Sequence, residues 1–161
     1  MRKTENEFGI ELDQAGYAPS IMEPARACCA LCGRRFGVKL DRHEPWGGLA
    51  NREKSKALGL WVSLCHFGCH EGPGSVHDDP ELNRELRRRV QAQAMAVYGW
   101  DLDEWRSRFG KNELSDEDAA NVYAVPDVFS IVRRSEKGRR ESAAPCIGGF
   151  LALADGPELP F

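Results

Sequence analysis

Two close pairs of cysteines are the residues in this chain best suited to chemistry. Cys29-Ala30-Leu31-Cys32 makes the first pair, and Cys65-His66-Phe67-Gly68-Cys69 makes the second, with His70 directly after it. Asp41-Arg42-His43-Glu44 lies between them, and His77 follows. Zinc takes four thiolates at about 2.3 Å in a tetrahedron, and a two-residue gap lets one turn aim both sulfurs at one ion. Gly33 eases the tight turn after the first pair, and the three-residue gap of the second is still within the usual range. The spacing therefore predicts a structural zinc held by Cys29, Cys32, Cys65 and Cys69. The nearby imidazoles and carboxylate are then spare, and can hold a second metal that reacts. Buried free thiols are the plain alternative. Cys28 replaces Cys29 as ligand if the register shifts by one, and Cys146 reads as an incidental thiol in a tail.

Six cysteines also admit three disulfides in a secreted protein. The segment Met1-Arg2-Lys3-Thr4-Glu5-Asn6-Glu7 lacks the apolar stretch of a secretory signal. With the paired spacing, that favours metal over disulfides and predicts a reducing cytoplasm. No run of about 18 apolar residues is present, so no membrane span is expected.

The elements that must position these groups are those of one small domain with arms. A chain of 161 residues, 42% apolar, has a modest core that a metal staple would reinforce. The net charge of -3 is unevenly spread. Residues 1–25 and 115–161 are each acidic, whereas 26–114 carry fifteen basic against twelve acidic side chains. The candidate site thus lies in the one positive segment, which keeps a nucleic-acid partner open. Residues 1–25, with Pro19 and Pro24, read as a partly disordered arm. Residues 115–161 read as a largely flexible tail that has one more helical turn near its start.

Within 26–114 the expected architecture is α+β. A strand is predicted over 38–43, then a polar loop from Pro45 to Gly59, a second strand over 60–64, and a short helix starting at the second cysteine pair. Asp79 is a good N-cap, Pro80 suits the first helical position, and Leu82, Leu86, Val90, Ala94 and Val97 recur at helical spacing, so a helix runs from 80 to about 98. Another starts near Asp101, with Glu104 in capping-box position, Leu102, Trp105 and Phe109 on its buried side and Gly110 at its end.

The segment from Cys29 to Leu114 resembles the HNH endonuclease superfamily in its zinc-bearing treble-clef form, and more narrowly the small HNH-like proteins of phages and prophages. The elements carrying the resemblance are Cys29 to Gly33, His43-Glu44-Pro45-Trp46-Gly47-Gly48, Asn51-Arg52 with Ser55, Leu64-Cys65 with Cys69-His70, Ser75-Val76-His77, Gln91, and Phe109-Gly110-Lys111-Asn112. They follow the family order over a little more than half the chain. The resemblance implies a ββα-metal site, a hairpin and a helix around one divalent ion such as Mg2+, Mn2+ or Ni2+, beside the structural Zn2+. It assigns His43 and the helix residue His70 to that metal, with His77 as a further ligand from the following loop. It makes Glu44 the general base, where the family more often has His, and Asn51 the candidate for the middle Asn. It implies hydrolysis of phosphodiester bonds, with DNA as the expected partner.

That chemistry requires an activated water and neutralised phosphate charge, and one divalent metal serves the charge. Glutamate titrates near 4.3, so Glu44 would need burial to act as a base near neutral pH. Alternatively Glu44 binds the metal and His43 takes the proton, or the His-Glu pair simply faces solvent at a strand end. His70 has a competing reading as a group beside the zinc ligands, and His66 reads as an exposed helix residue. Arg34, Arg35, Arg42, Arg52, Lys54 and Lys56 are candidate phosphate contacts, with Arg42, Arg52, Lys54 and Lys56 nearest the site. Trp46 and Trp61 suit the core better than base stacking. The competing function is a non-catalytic zinc module that docks nucleic acid or protein.

Overall fold

The computed structural model describes residues 4–22 and 28–122. Within them the chain is mixed α/β, with one two-stranded sheet and four helices. Strand β1 (Leu40–His43) pairs antiparallel with β2 (Val62–Cys65), in the register Leu40 to Cys65 and His43 to Val62. Helix α1 (Arg52–Ala57) lies in the connection between them, and α2 (Pro80–Tyr98), α3 (Leu102–Phe109) and α4 (Asp116–Ala120) follow. Both strands fall inside the predicted segments except that β2 runs one residue further, to Cys65. Helix α1 occupies what the sequence reads as loop. Its residues Arg-Glu-Lys-Ser-Lys-Ala are good helix formers but carry no apolar stripe to signal it. Tertiary contacts hold it instead, among them a buried one in which the Ser55 hydroxyl donates to the Trp46 carbonyl at 2.8 Å.

Helix α2 forms where its signals place it. The Asp79 side chain accepts from the backbone N–H of Glu81 and Leu82, Pro80 takes the first position, and Gly99 ends the helix at φ 68°. Leu86, Val90 and Ala94 are buried, joined by Gln91 and Met95. Val97, expected on the same stripe, is 51% exposed. The buried stripe advances in steps of four, from Leu86 to Ala94, and so continues to Tyr98 rather than Val97. The Tyr98 hydroxyl donates to the Leu58 carbonyl at 2.7 Å. In α3 the Asp101 side chain accepts from Glu104 N–H, Trp105 and Phe109 are buried, and Gly110 closes the helix.

The core joins Leu60, Val62 and Leu64 to Leu86, Val90, Ala94 and Met95, with Trp46, Trp100, Trp105 and Phe109. Trp46 and Trp61 are both buried, and their indole N–H groups donate to the carbonyls of Arg87 and Ala18. Base stacking by either ring is thereby replaced by core packing. Several residues of the motif series knit this frame together. Buried Gln91 donates to the Asn112 side chain at 2.6 Å and accepts from Glu113 N–H at 2.9 Å, and Trp105 donates to the Lys111 carbonyl at 2.8 Å. Gln91 and the Phe-Gly-Lys-Asn run therefore clamp the exit of α3 onto α2.

The N-terminal segment corrects the expectation of a partly disordered arm over its described part. Residues 4–22 lie against the connection between the strands. Asn6 donates to the Ala57 carbonyl, Ala18 N–H to Lys56 and Ile21 N–H to Gly59, while Ala18 and Met22 are buried. The contacts are long-range backbone pairings, which leave no periodicity to read in sequence. The further helical turn expected near the start of the tail is present as α4. Ser115 and Asp118 form a capping box, Asp118 pairs with Arg88 of α2 at 2.7 Å, and Val122 is buried. Cys146, Pro24 and the tail from 123 onward lie outside the described residues.

Gly59 makes the docking of the N-terminal segment sterically feasible. Its φ is +69°, and a Cβ there would sit 2.2 Å from the Pro19 carbonyl oxygen. Gly59→Ala combines the left-handed backbone penalty with a clash against main chain. A loss of about 2 kcal/mol or more is expected in denaturant unfolding. An unchanged midpoint would show that residues 17–21 do not rest on this turn.

Candidate metal centre

The first cysteine pair sits on a turn closed by Gly33 N–H donating to the Cys29 carbonyl and Cys29 N–H to Arg34, each at 2.8 Å, with Gly33 at φ 73°. Ala30 N–H donates to the Ser63 carbonyl, which ties that turn to β2. Cys65 ends β2, and the chain then folds through turns in which His70 N–H donates to Cys65 and Val76 N–H to Cys69. These bonds replace the short helix expected at the second pair, so His66 and His70 are turn residues rather than helix residues. Glycines at 68, 72 and 74, all with positive φ, favour turns over a helix here.

The sulfurs of Cys29, Cys32, Cys65 and Cys69 all lie within 4.8 Å of one another. Cys32 Sγ and Cys65 Sγ are 3.8 Å apart. A tetrahedron with arms of about 2.3 Å has an edge of about 3.8 Å, so this spacing is that of two sulfurs on one zinc. Hydrogen bonds from Cys32 and Cys69 hold the Cys29 thiol far below its usual range, while the Cys32 thiol is pushed up to about 11 by its bond to Cys29. Bonding to Cys29 and Cys32 drives Cys69 upward as well. Crowded thiols that cannot all ionise alone are the donors a divalent cation deprotonates together. The four cysteines can thus hold a metal ion such as zinc. Cys29, not Cys28, supplies the first sulfur.

A second group comprises His43, His70 and His77, whose ligand atoms also lie within 4.8 Å of one another. Their ring centroids are 5.0 to 5.4 Å apart. His43 is only 6% exposed, and its Nε2 is buried with no hydrogen-bond partner. Burial, with the neighbouring His70 and His77 rings, lowers its pKa to about 4, so the ring is neutral at pH 7 and keeps a lone pair. His77 is exposed, so the group opens to solvent on that side. Three imidazoles with one open flank could hold a divalent metal ion and leave one side of it accessible.

Glu44 does not join this group. Its carboxylate is nearly buried, accepts from the Tyr17 hydroxyl and pairs with Arg52 at 3.3 Å. Burial and the bond to Glu44 push the Tyr17 hydroxyl up to about 12, so it remains a donor. The separation follows from the pleat, since successive side chains leave a strand on opposite faces. Asp41 and His43 share one face of β1. Arg42 and the next residue but one, Glu44, share the other, where Arg42 stacks on Tyr17 and Trp61 at 4.5 and 4.8 Å. Asn51 lies at the start of α1 and donates its side-chain N–H to the Phe109 carbonyl at 3.2 Å, which joins α1 to the end of α3.

Four of the six basic residues expected near phosphate have internal partners. Arg42 pairs with Asp13 at 2.6 Å, Arg52 with Glu44, and Lys56 with Glu53 at 2.8 Å, while Lys54 donates to the Arg108 carbonyl. Arg34 and Arg35 are exposed beside the first cysteine turn. Sequence reasoning passed over Asp41. Its Oδ2 meets Nδ1 of both His66 and His70. Burial raises the Asp41 carboxyl, but hydrogen bonds from His66, His70 and Lys39 outweigh it and hold it far below the usual carboxylate range. The available signal was its place two residues before His43 on a strand.

No family model, curated protein or solved structure matches the chain. Among the described residues no helix is long and apolar enough to cross a membrane.

Proposed function

We propose that this protein is a metal-dependent endonuclease of the HNH type, built on a zinc-bearing treble clef and acting on DNA in a phage or prophage setting. The observation that carries the reading is the buried, unpartnered Nε2 of His43 within a cluster of three histidines. A buried polar atom without a partner is costly, and a metal ion satisfies it. The zinc turn, the hairpin and the second cysteine pair at the end of β2 follow the order of a treble clef. A treble clef usually carries its second pair at the start of a helix, whereas here Cys65 ends a strand and Cys69 sits in the turns after it.

In this reading His43, His70 and His77 hold the reactive ion. Bound there, it would neutralise phosphate charge and stabilise the leaving oxygen. His43 contributes from the sheet, His70 from the cysteine turn and His77 from the loop before α2, so the zinc sets the distance between them. The exposed side at His77 admits the phosphodiester, and Arg34 and Arg35 are exposed cations available to contact its phosphate. The motif order from Cys29 to Asn112 supports a nucleic-acid substrate.

The test is nicking of supercoiled plasmid by zinc-loaded protein with magnesium, manganese or nickel. Open-circular product that is abolished by EDTA is expected. Intact plasmid under every metal, with zinc retained, sinks the enzyme reading. The engagement of Glu44 by Tyr17 and Arg52, and of Asn51 by Phe109, favours a second reading, a non-catalytic zinc module that binds nucleic acid or protein. That reading predicts one metal per chain and nucleic-acid binding indifferent to His43→Ala.

A further inference from the structure

We infer that Asp41 is the positioning residue of the histidine centre: it fixes the ring of His70 so that Nε2, not Nδ1, faces His43 and His77. The inference rests on the reading that His43, His70 and His77 bind a metal, and deepens it.

Asp41 and His43 project from the same face of β1, two residues apart. His70, arriving from the cysteine turn, is engaged by both. Its ring lies 5.4 Å from that of His43, and its Nδ1 lies 2.9 Å from Asp41 Oδ2. A carboxylate has no proton to give, so the proton is on Nδ1. That choice leaves the lone pair on Nε2. A carboxylate behind a metal-binding imidazole sets its tautomer, holds the ring plane and raises its basicity.

His66 takes the same oxygen of Asp41 through its own Nδ1. Asp41, His66 and His70 therefore also form a compact group of potential ligands. Both imidazoles meet a single oxygen of Asp41, the arrangement of two N–H donors sharing one acceptor, and an ion shared by the three is the competing reading that the metal count below decides. Two donors on one acceptor oxygen, with Lys39 at 3.1 Å on the other, hold the carboxylate from both ends.

The experiment uses the full chain with zinc in the cysteine site. Nitrogen-15 spectra of the imidazoles, recorded before any second metal is added, report the tautomer of His70. Titration with Co2+, followed by its visible absorption, reports affinity at the histidines. Wild-type His70 is expected to be protonated at Nδ1. Asp41→Asn is expected to bind Co2+ about 10–100-fold more weakly and to lose the single tautomer, with zinc content unchanged. His66→Ala is expected to stay within about threefold of wild type, since the His70 bond remains. A wild-type His70 protonated at Nε2 overturns the inference without any variant, which covers the case of a variant that does not fold. Unchanged Co2+ affinity in Asp41→Asn overturns it while leaving the metal reading intact. Two Co2+ per chain, one of them lost in His66→Ala, overturns it in favour of a second metal at Asp41. No Co2+ binding by wild type removes the metal reading and the inference together.

Discussion

Cys65→Ser is expected to unfold the domain rather than weaken one contact. Cys65 ends the central strand β2, and its side chain is buried in the hydrophobic core with Cys29 and Cys69. A structural zinc contributes about 10–16 kcal/mol in small zinc-folded peptides. A small domain has about 5–15 kcal/mol of net stability in all. Loss of the ion therefore exceeds what the remaining core can supply, and it also leaves crowded thiols of which Cys32 and Cys69 resist ionisation. The variant should show no cooperative thermal transition and bind no zinc by elemental analysis. Treating the wild type with a strong chelator should reproduce that state, and returning zinc should reverse it. A sharp, unshifted melt in chelator-treated protein shown to be zinc-free would mean that the sulfurs are only packed together.

The second large effect lies at His43. His43→Ala is expected to lower plasmid cleavage by about a thousandfold or more. The charge stabilisation a metal supplies is worth several kcal/mol, and each 1.36 kcal/mol is a factor of ten in rate. Elemental analysis should show the zinc kept and the second ion lost. Because His43 is buried, the alanine also opens a cavity, and His77→Ala separates the two causes. His77 is exposed, so its removal leaves the core intact and should still lower metal affinity and cleavage. Glu44→Gln is the contrasting variant. Its side chain is turned to Tyr17 and Arg52, so a much smaller loss of cleavage than in His43→Ala is expected. Full cleavage by His43→Ala with the same metal would remove the histidine centre from the mechanism, and a Glu44→Gln defect equal to it would restore Glu44 as the base.

The parts legible in sequence are those set by local chemistry. A two- or three-residue gap aims two sulfurs the same way whatever surrounds them, so Cys29, Cys32, Cys65 and Cys69 could be grouped from spacing alone. Asp79-Pro80 and Asp101 with Gly110 mark helix ends through bonds made within one turn, and α2 and α3 stand where these signals place them. His43, His70 and His77 were picked out through their order along a family pattern, and the chain brings them together.

Tertiary structure alone decided the rest. Residues 4–22 pack because Gly59 admits the Pro19 main chain, a contact between segments about forty residues apart that leaves no periodic trace. The glycine-rich run after Cys65 chooses turns over a helix, which brings His70 against Asp41. The division between His43 and Glu44 is the clearest case. As neighbours in sequence they read as one catalytic pair, yet the pleat of β1 sends them to opposite sides of the sheet. Sequence determined which donor groups this chain has and which of them begin a turn or cap a helix. Only the fold decided which of them meet, because a side chain's partner depends on the strand face it leaves from and on what distant segment is packed there.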